Sequence, residues 1–320
     1  MNSRIWLIGA GPMAIDYAKV LQAQKMTFDV IGRGAASAAA FKEKTGVSVH
    51  QGGLQAWLDQ ENQIPGAVIV AVGVEQLAEI TVILLKHGVK RILVEKPAGL
   101  DLDEINRVAK EAEKQGAEVY VAYNRRFYAS VIKAREIIAS DGGVTSFTFE
   151  FTEWSHVIAP LDKDPRIKEQ WFLANSTHVT DLAFYLGGIP EKISCYTAGS
   201  LPWHPLASIF SGAGLTESGA IFSYHANWES PGRWGVEVLT RKHRLILRPL
   251  EKLQVQKIGS IHTEEMQIDD PFDQEFKPGL YLQVEAFITG KNSSELLSIV
   301  TQAVLATKFY AKMANYSPLA

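Results

Sequence analysis

Ile5-Trp6-Leu7-Ile8-Gly9-Ala10-Gly11-Pro12-Met13-Ala14 is the stretch that decides the fold of this chain. Four apolar residues read as a strand buried on both faces, and Pro12 opens an amphipathic helical pattern to Gln24, so the glycines fall in a strand-to-helix turn. In that setting Gly9 permits the tight turn, Gly11 lets backbone approach a pyrophosphate, and Ala14 keeps helix and strand close. Pro12 and Met13 begin the helix whose N-terminal amides face the phosphates. Without the flanking strand and helix, the same letters would read as a plain glycine-rich turn.

Outward from this turn the pattern repeats. Short apolar runs at 4–8, 27–32, 66–72, 91–95 and 118–122, with a weaker one at 47–49, alternate with helical patterns at 12–24, 35–44, 74–87 and 101–115. This is a doubly wound parallel sheet of the Rossmann type, over residues 1–123. After Asn124 the texture changes to alternating runs at 144–154, 192–199, 217–228, 234–239 and 243–256. They predict an open, mostly antiparallel sheet, a meander in its simplest form. Helices at 178–186 and from Leu280 onward complete an α+β domain over 124–320, its last helix free to pack back on the first domain.

Composition narrows the function classes. Among 320 residues, 32 Lys and Arg face 35 Asp and Glu, a net charge of −3 without the basic excess that nucleic acid requires. A single cysteine, Cys195, excludes an internal disulfide and a Cys-based zinc cage, and the eight histidines show no metal-ligand spacing, so no metal is expected. No apolar run approaches the roughly 18 residues of a membrane span, and no Gly-x-Ser-x-Gly elbow supports acyl transfer. A soluble, cytoplasmic protein without nucleic-acid or membrane partners is expected.

The second strand ends in Ile31-Gly32-Arg33-Gly34, lacking the carboxylate that usually holds the ribose hydroxyls of NAD. Arg33 suits a 2′-phosphate and favours NADP over NAD as cofactor; a solvated loop charge is the alternative. A later strand ends in Glu95-Lys96-Pro97 at the sheet's carboxyl edge, where open α/β folds bind ligands.

Together with the turn and with His178-Val179-Thr180-Asp181, this tripeptide resembles the Gfo/Idh/MocA family of NAD(P)-dependent oxidoreductases. The resemblance implies Lys96 beside the nicotinamide and the reacting hydroxyl, with Pro97 in a rigid, often cis, turn. Lys96 and His178 then carry acid/base catalysis, because hydride removal from an alcohol also requires removal of its proton. Cofactor contacts fall to Gly9, Gly11, Pro12, Met13, Ala14, Arg33, Val72, Glu95, Lys96, Pro97 and Asn124. Substrate contacts fall to Lys96, Asn124, Asn175, His178 and Asp181. Asp181 shares a helix face with His178, so it is equally placed for a structural pair.

Two departures stand out. Position 174 is Ala where relatives commonly place an Asp four residues before the His, and Val72-Gly73-Val74-Glu75 stands where they show Thr-Pro-Asn. Within Tyr123-Asn124-Arg125-Arg126-Phe127, Asn124 is a candidate contact, and at least one arginine is expected to be structural. Trp154-Ser155-His156 and Trp203-His204-Pro205 suit either a sugar-binding wall or sheet packing, and Lys277-Pro278-Gly279-Leu280-Tyr281 either a closing loop or a solvated one. The implied substrate is a sugar, polyol or nucleotide sugar. An NAD-dependent glycosidase and a cofactor-binding regulator without turnover are the alternatives. The uncovered face of the second sheet predicts a homodimer or homotetramer.

Overall fold

The structure is a computed structural model and describes residues 4–61 and 63–316. Two compact units divide the chain, one built from the residues up to Tyr123 with Phe272–Ala303, the other from Asn124–Pro271 with the residues from Val304. The sequence reading kept 124–320 together apart from a returning last helix; the segment that joins the first unit is Phe272–Ala303.

In the first unit β1 (Ile5–Ile8), β2 (Phe28–Ile31), β3 (Val49–His50), β4 (Ala67–Val70), β5 (Arg91–Glu95) and β6 (Glu118–Ala122) form a parallel sheet in the order β6-β5-β4-β1-β2-β3. The central strands β1 and β4 are buried throughout, which is why their sequences are continuous apolar runs. Strand order reverses between β1 and β4, which opens a crevice at the carboxyl ends of the strands.

Helices α1 (Pro12–Ala23), α2 (Ala35–Thr45), α3 (Gly53–Leu58), α4 (Leu77–Lys86) and α5 (Leu102–Gln115) connect these strands. The 74–87 pattern opens as a 3₁₀ turn, Val74–Gln76, before α4, and α3 had no counterpart in the sequence reading. Asp101 caps α5 by accepting from the Glu104 amide at 2.9 Å, while the Glu104 carboxylate accepts from the Leu100 amide at 2.7 Å.

One long helix from Leu280 does not form. The chain makes Leu280–Thr289, stops at Gly290 with φ of 79°, adds the two-residue strand Leu297–Ser298 antiparallel to β6, and resumes as Ile299–Leu305. Within the first unit, Leu280–Thr289 packs on α1.

The second unit opens with α6 (Ala129–Ser140), absent from the sequence reading, and carries β7 (Ser146–Glu150), β8 (Pro190–Ala198), β9 (Ile209–Thr216), β10 (Ile221–Asn227), β11 (Gly235–Leu239), β12 (His243–Leu247), β13 (Gln254–Lys257) and β14 (Thr263–Glu265). Their order is β14-β13-β12-β11-β7-β10-β9-β8. This corrects the meander: β7 enters between β11 and β10 and pairs with β10 in parallel, the other neighbours being antiparallel. Phe147 and Phe149 of β7 are buried, so the central position covers the strand whose inward residues are most apolar.

The 243–256 run splits at Pro249, which has no amide to give a ladder. Strand β9 was hidden by Gly212 and Gly214, which depress strand propensity. They are required because a Cβ there would stand 2.5 Å from the Tyr224 ring and 2.4 Å from the Phe222 ring. The Thr177–Gly187 helix closes this face, with Phe184 set nearly perpendicular to Phe147 and Phe149 at centroid distances of 6.3 and 5.6 Å.

Candidate functional site

The glycine loop leaves β1 with Gly9 at φ +123°, where a Cβ would lie 2.2 Å from the Ala71 carbonyl oxygen. Gly9 donates to the Ile31 carbonyl at 2.8 Å and Ala71 to that of Ile8, so the loop is pinned between β2 and β4. Gly11 caps α1 in extended backbone, and nothing lies within 4 Å of where its Cβ would be. Pro12 and Met13 start the helix, Ala14 is fully buried, and the first turn carries no acidic residue. An open, anion-favouring helix N-terminus over a glycine therefore fits a dinucleotide pyrophosphate.

Arg33 is exposed at the end of β2, next to the Gly34 cap of α2, its stem against Gly53. The carboxylate on β2, Asp29, is bonded to Arg4 instead. Val72 follows β4 in the Gly73 turn.

At the end of β5, Glu95 Oε1 accepts the Tyr17 hydroxyl at 2.7 Å. Burial raises the pKa of both groups, for Glu95 against the opposing pull of Tyr17 and Lys96. The phenol therefore holds its proton and serves as donor. Lys96 is half-buried, the Lys96–Pro97 peptide is cis, and the Ala98 amide closes the turn on the Glu95 carbonyl at 3.0 Å. Gln302, unnoticed in the sequence, buttresses the turn by donating to the Pro97 carbonyl at 3.3 Å and the Tyr123 hydroxyl at 3.0 Å. Lys277 reaches Asp16 at 3.9 Å.

The second unit holds the remaining candidates. Asn124 is buried at the start of the 3₁₀ turn Asn124–Phe127. Arg126 grips Asp181 with both arms, Nε to Oδ2 at 2.8 Å and Nη2 to Oδ1 at 2.6 Å, and lies over the Tyr185 ring. Asp181 is thus committed to a buried bidentate pair. His178 faces Trp234, ring centroids 6.0 Å apart.

Before that helix, Phe172–Ser176 widens into a π-helical turn, a form frequent at functional sites. It carries Ala174 and Asn175. Asn175 donates to Glu153 Oε1 at 3.0 Å, Ser176 to the same oxygen at 2.7 Å, and Arg233 to Oε2 at 3.2 Å. Burial raises the Glu153 pKa, although all three of these donors favour the carboxylate.

Sequence reasoning missed Glu153, yet Phe147-x-Phe149-x-Phe151-x-Glu153 continues a two-residue period, so a carboxylate stands in phase with three buried rings. Trp154 is half-exposed beneath Arg233, whereas Trp203 stacks on Trp228 and buried His204 bonds the Ala207 carbonyl and the Tyr316 hydroxyl, which is packing. Among the described residues no cluster of His, Cys, Asp and Glu is placed to hold a metal, and no helix is long and apolar enough to cross a membrane.

A glycine-turned parallel sheet and an open, mostly antiparallel sheet make up the two units. Residues 3–123 match the Gfo/Idh/MocA model, described as an oxidoreductase family with an NAD-binding Rossmann fold. Solved structures share the fold. UDP-N-acetylglucosamine 3-dehydrogenase GnnA from Acidithiobacillus ferrooxidans aligns at TM-score 0.73 and 15% identity over 99% of both chains. A putative NADPH-dependent oxidoreductase from Desulfitobacterium hafniense DCB-2 reaches 0.79 at 16% identity over 98% of this chain and 95% of its own. The WlbA dehydrogenase from Chromobacterium violaceum, in complex with NADH and UDP-GlcNAcA, gives 0.73 at 17% over 99% and 96%. No curated protein sequence matches the chain.

Proposed function

We propose that the protein is a cytoplasmic NAD(P)-dependent oxidoreductase that moves hydride between a nicotinamide and a secondary hydroxyl or keto group of a sugar, polyol or nucleotide sugar. The observation that carries this reading is the placement of Lys96. It leaves the carboxyl end of β5, two strands from the Gly9–Ala14 loop at the same edge of the sheet, on a turn braced by Gln302. Structures of similar fold include the nucleotide-sugar dehydrogenases above and levoglucosan dehydrogenase with NADH, which supports a sugar-type substrate.

The bound dinucleotide supplies the hydride acceptor. This chain's part is to bind it on the α1 N-terminus, to set the Lys96 ammonium at the substrate oxygen where negative charge develops, and to relay the proton with His178. Asn124 and Asn175 orient substrate hydroxyls. Arg33, which follows β2 where the strand's own carboxylate, Asp29, is taken by Arg4, is assigned to the 2′-phosphate of NADP. NADP(H) should therefore bind more tightly than NAD(H), with Arg33→Ala narrowing the gap; equal affinities in the wild type would remove the assignment.

The test of the whole reading is incubation with a panel of sugars, polyols and nucleotide sugars while nicotinamide absorbance is followed. Substrate-dependent reduction is expected. Release of free sugar without net cofactor change would mark a glycosidase, and cofactor binding without any turnover a regulator.

A further inference from the structure

Beyond the groups assigned to hydride and proton transfer, the second unit gathers cations around one indole. Arg125 lies over the Trp234 ring at 4.9 Å and Arg233 over the same ring at 4.5 Å, and His178 faces it as well. Acceptors are scarce there. Glu153 is the carboxylate in contact, with one oxygen on Arg233 and the other occupied by Asn175 and Ser176.

Arg125 pairs with no carboxylate among the described residues; its Nε is buried without an acceptor, and so is the indole nitrogen of Trp234. A buried donor left unmatched is costly, so Arg125 Nε and Trp234 Nε1 together mark a place built with donors in excess. Glu251 is a second carboxylate within electrostatic reach of Arg125, so what the site holds in excess is hydrogen-bond donors. The Arg125 guanidinium lies over the Trp234 and Tyr128 rings, which limits its rotamers and lowers the entropy lost when its fork engages a planar acceptor.

We propose that Arg125, Trp234 and Arg233 form a subsite for a carboxylate on the substrate, so that the substrate is a sugar acid or a glycoside of one. This rests on the oxidoreductase reading above and narrows its substrate class. Arg125 supplies the bidentate fork, Trp234 the flat wall, and Glu153 holds Arg233 in position. A planar carboxylate can lie along the Trp234 face while it takes both arms of the Arg125 fork.

Calorimetric titration of the full chain with D-glucuronate, D-gluconate, D-glucose and D-glucose 6-phosphate, each with and without NADH, tests the proposal. The carboxylates are expected to bind at least about tenfold more tightly than D-glucose, and Arg125→Gln and Arg233→Gln should each remove about tenfold of that preference, as loss of a charge-assisted contact implies. NADH titration and thermal unfolding of each variant report an intact fold. Arg233 has a half-exposed side chain, so its variant carries the test should Arg125→Gln not fold.

Absence of carboxylate binding, no preference over D-glucose, a preference kept by both folded variants, or tighter binding of the phosphate would each overturn the subsite. Failure of the wild type to bind NADH or NADPH would instead overturn the oxidoreductase reading, since the titrations without cofactor judge the carboxylate subsite separately.

Discussion

At the residue scale the two loop glycines separate folding from binding. A methyl on Gly9 would collide with the Ala71 carbonyl at a φ of +123°, so Gly9→Ala is expected to cost roughly 2–4 kcal/mol. Gly11 has φ −86° and open space where a Cβ would stand, so Gly11→Val should melt with the wild type yet lose nicotinamide dinucleotide binding by at least about tenfold. Thermal unfolding beside cofactor titration checks both, and wild-type affinity in Gly11→Val would refute the loop's assignment. Lys96→Met is expected to keep fold and cofactor affinity while slowing single-turnover hydride transfer by roughly 10²–10⁴-fold. His178→Ala is expected to act similarly, and normal transfer in either folded variant would remove that residue from the proposed mechanism. Should His178 only pack against Trp234, its replacement would lower Tm and leave transfer per folded molecule intact.

At the scale of elements, Arg126 and Asp181 tie the Asn124–Phe127 turn to the Thr177–Gly187 helix through a buried bidentate pair. Asp181→Ala strands a buried guanidinium and is expected to cost roughly 3–5 kcal/mol in denaturant unfolding, whereas Arg126→Met with Asp181→Leu should recover most of it. The Glu153 carboxyl has a pKa raised by burial, so the folded state holds its proton more tightly than the unfolded chain. Its contribution is therefore most favourable below the ordinary carboxylate range and is lost as pH rises through the raised value. Glu153→Gln should gain stability relative to the wild type at neutral pH, the gain fading as the pH is lowered; a pH-independent difference would contradict this.

What the sequence disclosed follows the same physics. Runs buried on both faces, such as β1 and β5, announce themselves, as does the fingerprint between strand and helix. Strand β9 did not, because Gly212 and Gly214 were selected for the rings across from them rather than for strand propensity. The place of β7 depends on long-range pairing that no local pattern records. Lys96 and His178 stand out as motif letters, and the variants above test the roles proposed for them. The Arg125–Trp234–Arg233 cluster does not, since it joins Arg125 to the distant neighbours Arg233 and Trp234.

At the scale of the whole molecule, the exposed face of the second sheet carries an expectation about assembly. Phe222 and Tyr224 of β10 point into the core, while the alternate residues Ile221, Ser223 and His225 register with Leu215, Ala213 and Ser211, and these with Lys192, Ser194 and Tyr196. Ile221 is 63% and Tyr196 73% exposed on this face. Small side chains interspersed with large apolar ones make a flat surface that a second sheet can approach closely, so the protein is expected to self-associate face to face. Light scattering should then give a mass that is two or four times 35.3 kDa, and Tm should rise with protein concentration. Ile221→Lys combined with Tyr196→Glu places charge at the centre of the face without touching the core. It should yield a folded monomer whose Tm no longer depends on concentration, whereas a wild type that scatters as a single chain at micromolar concentration would remove the face as an interface.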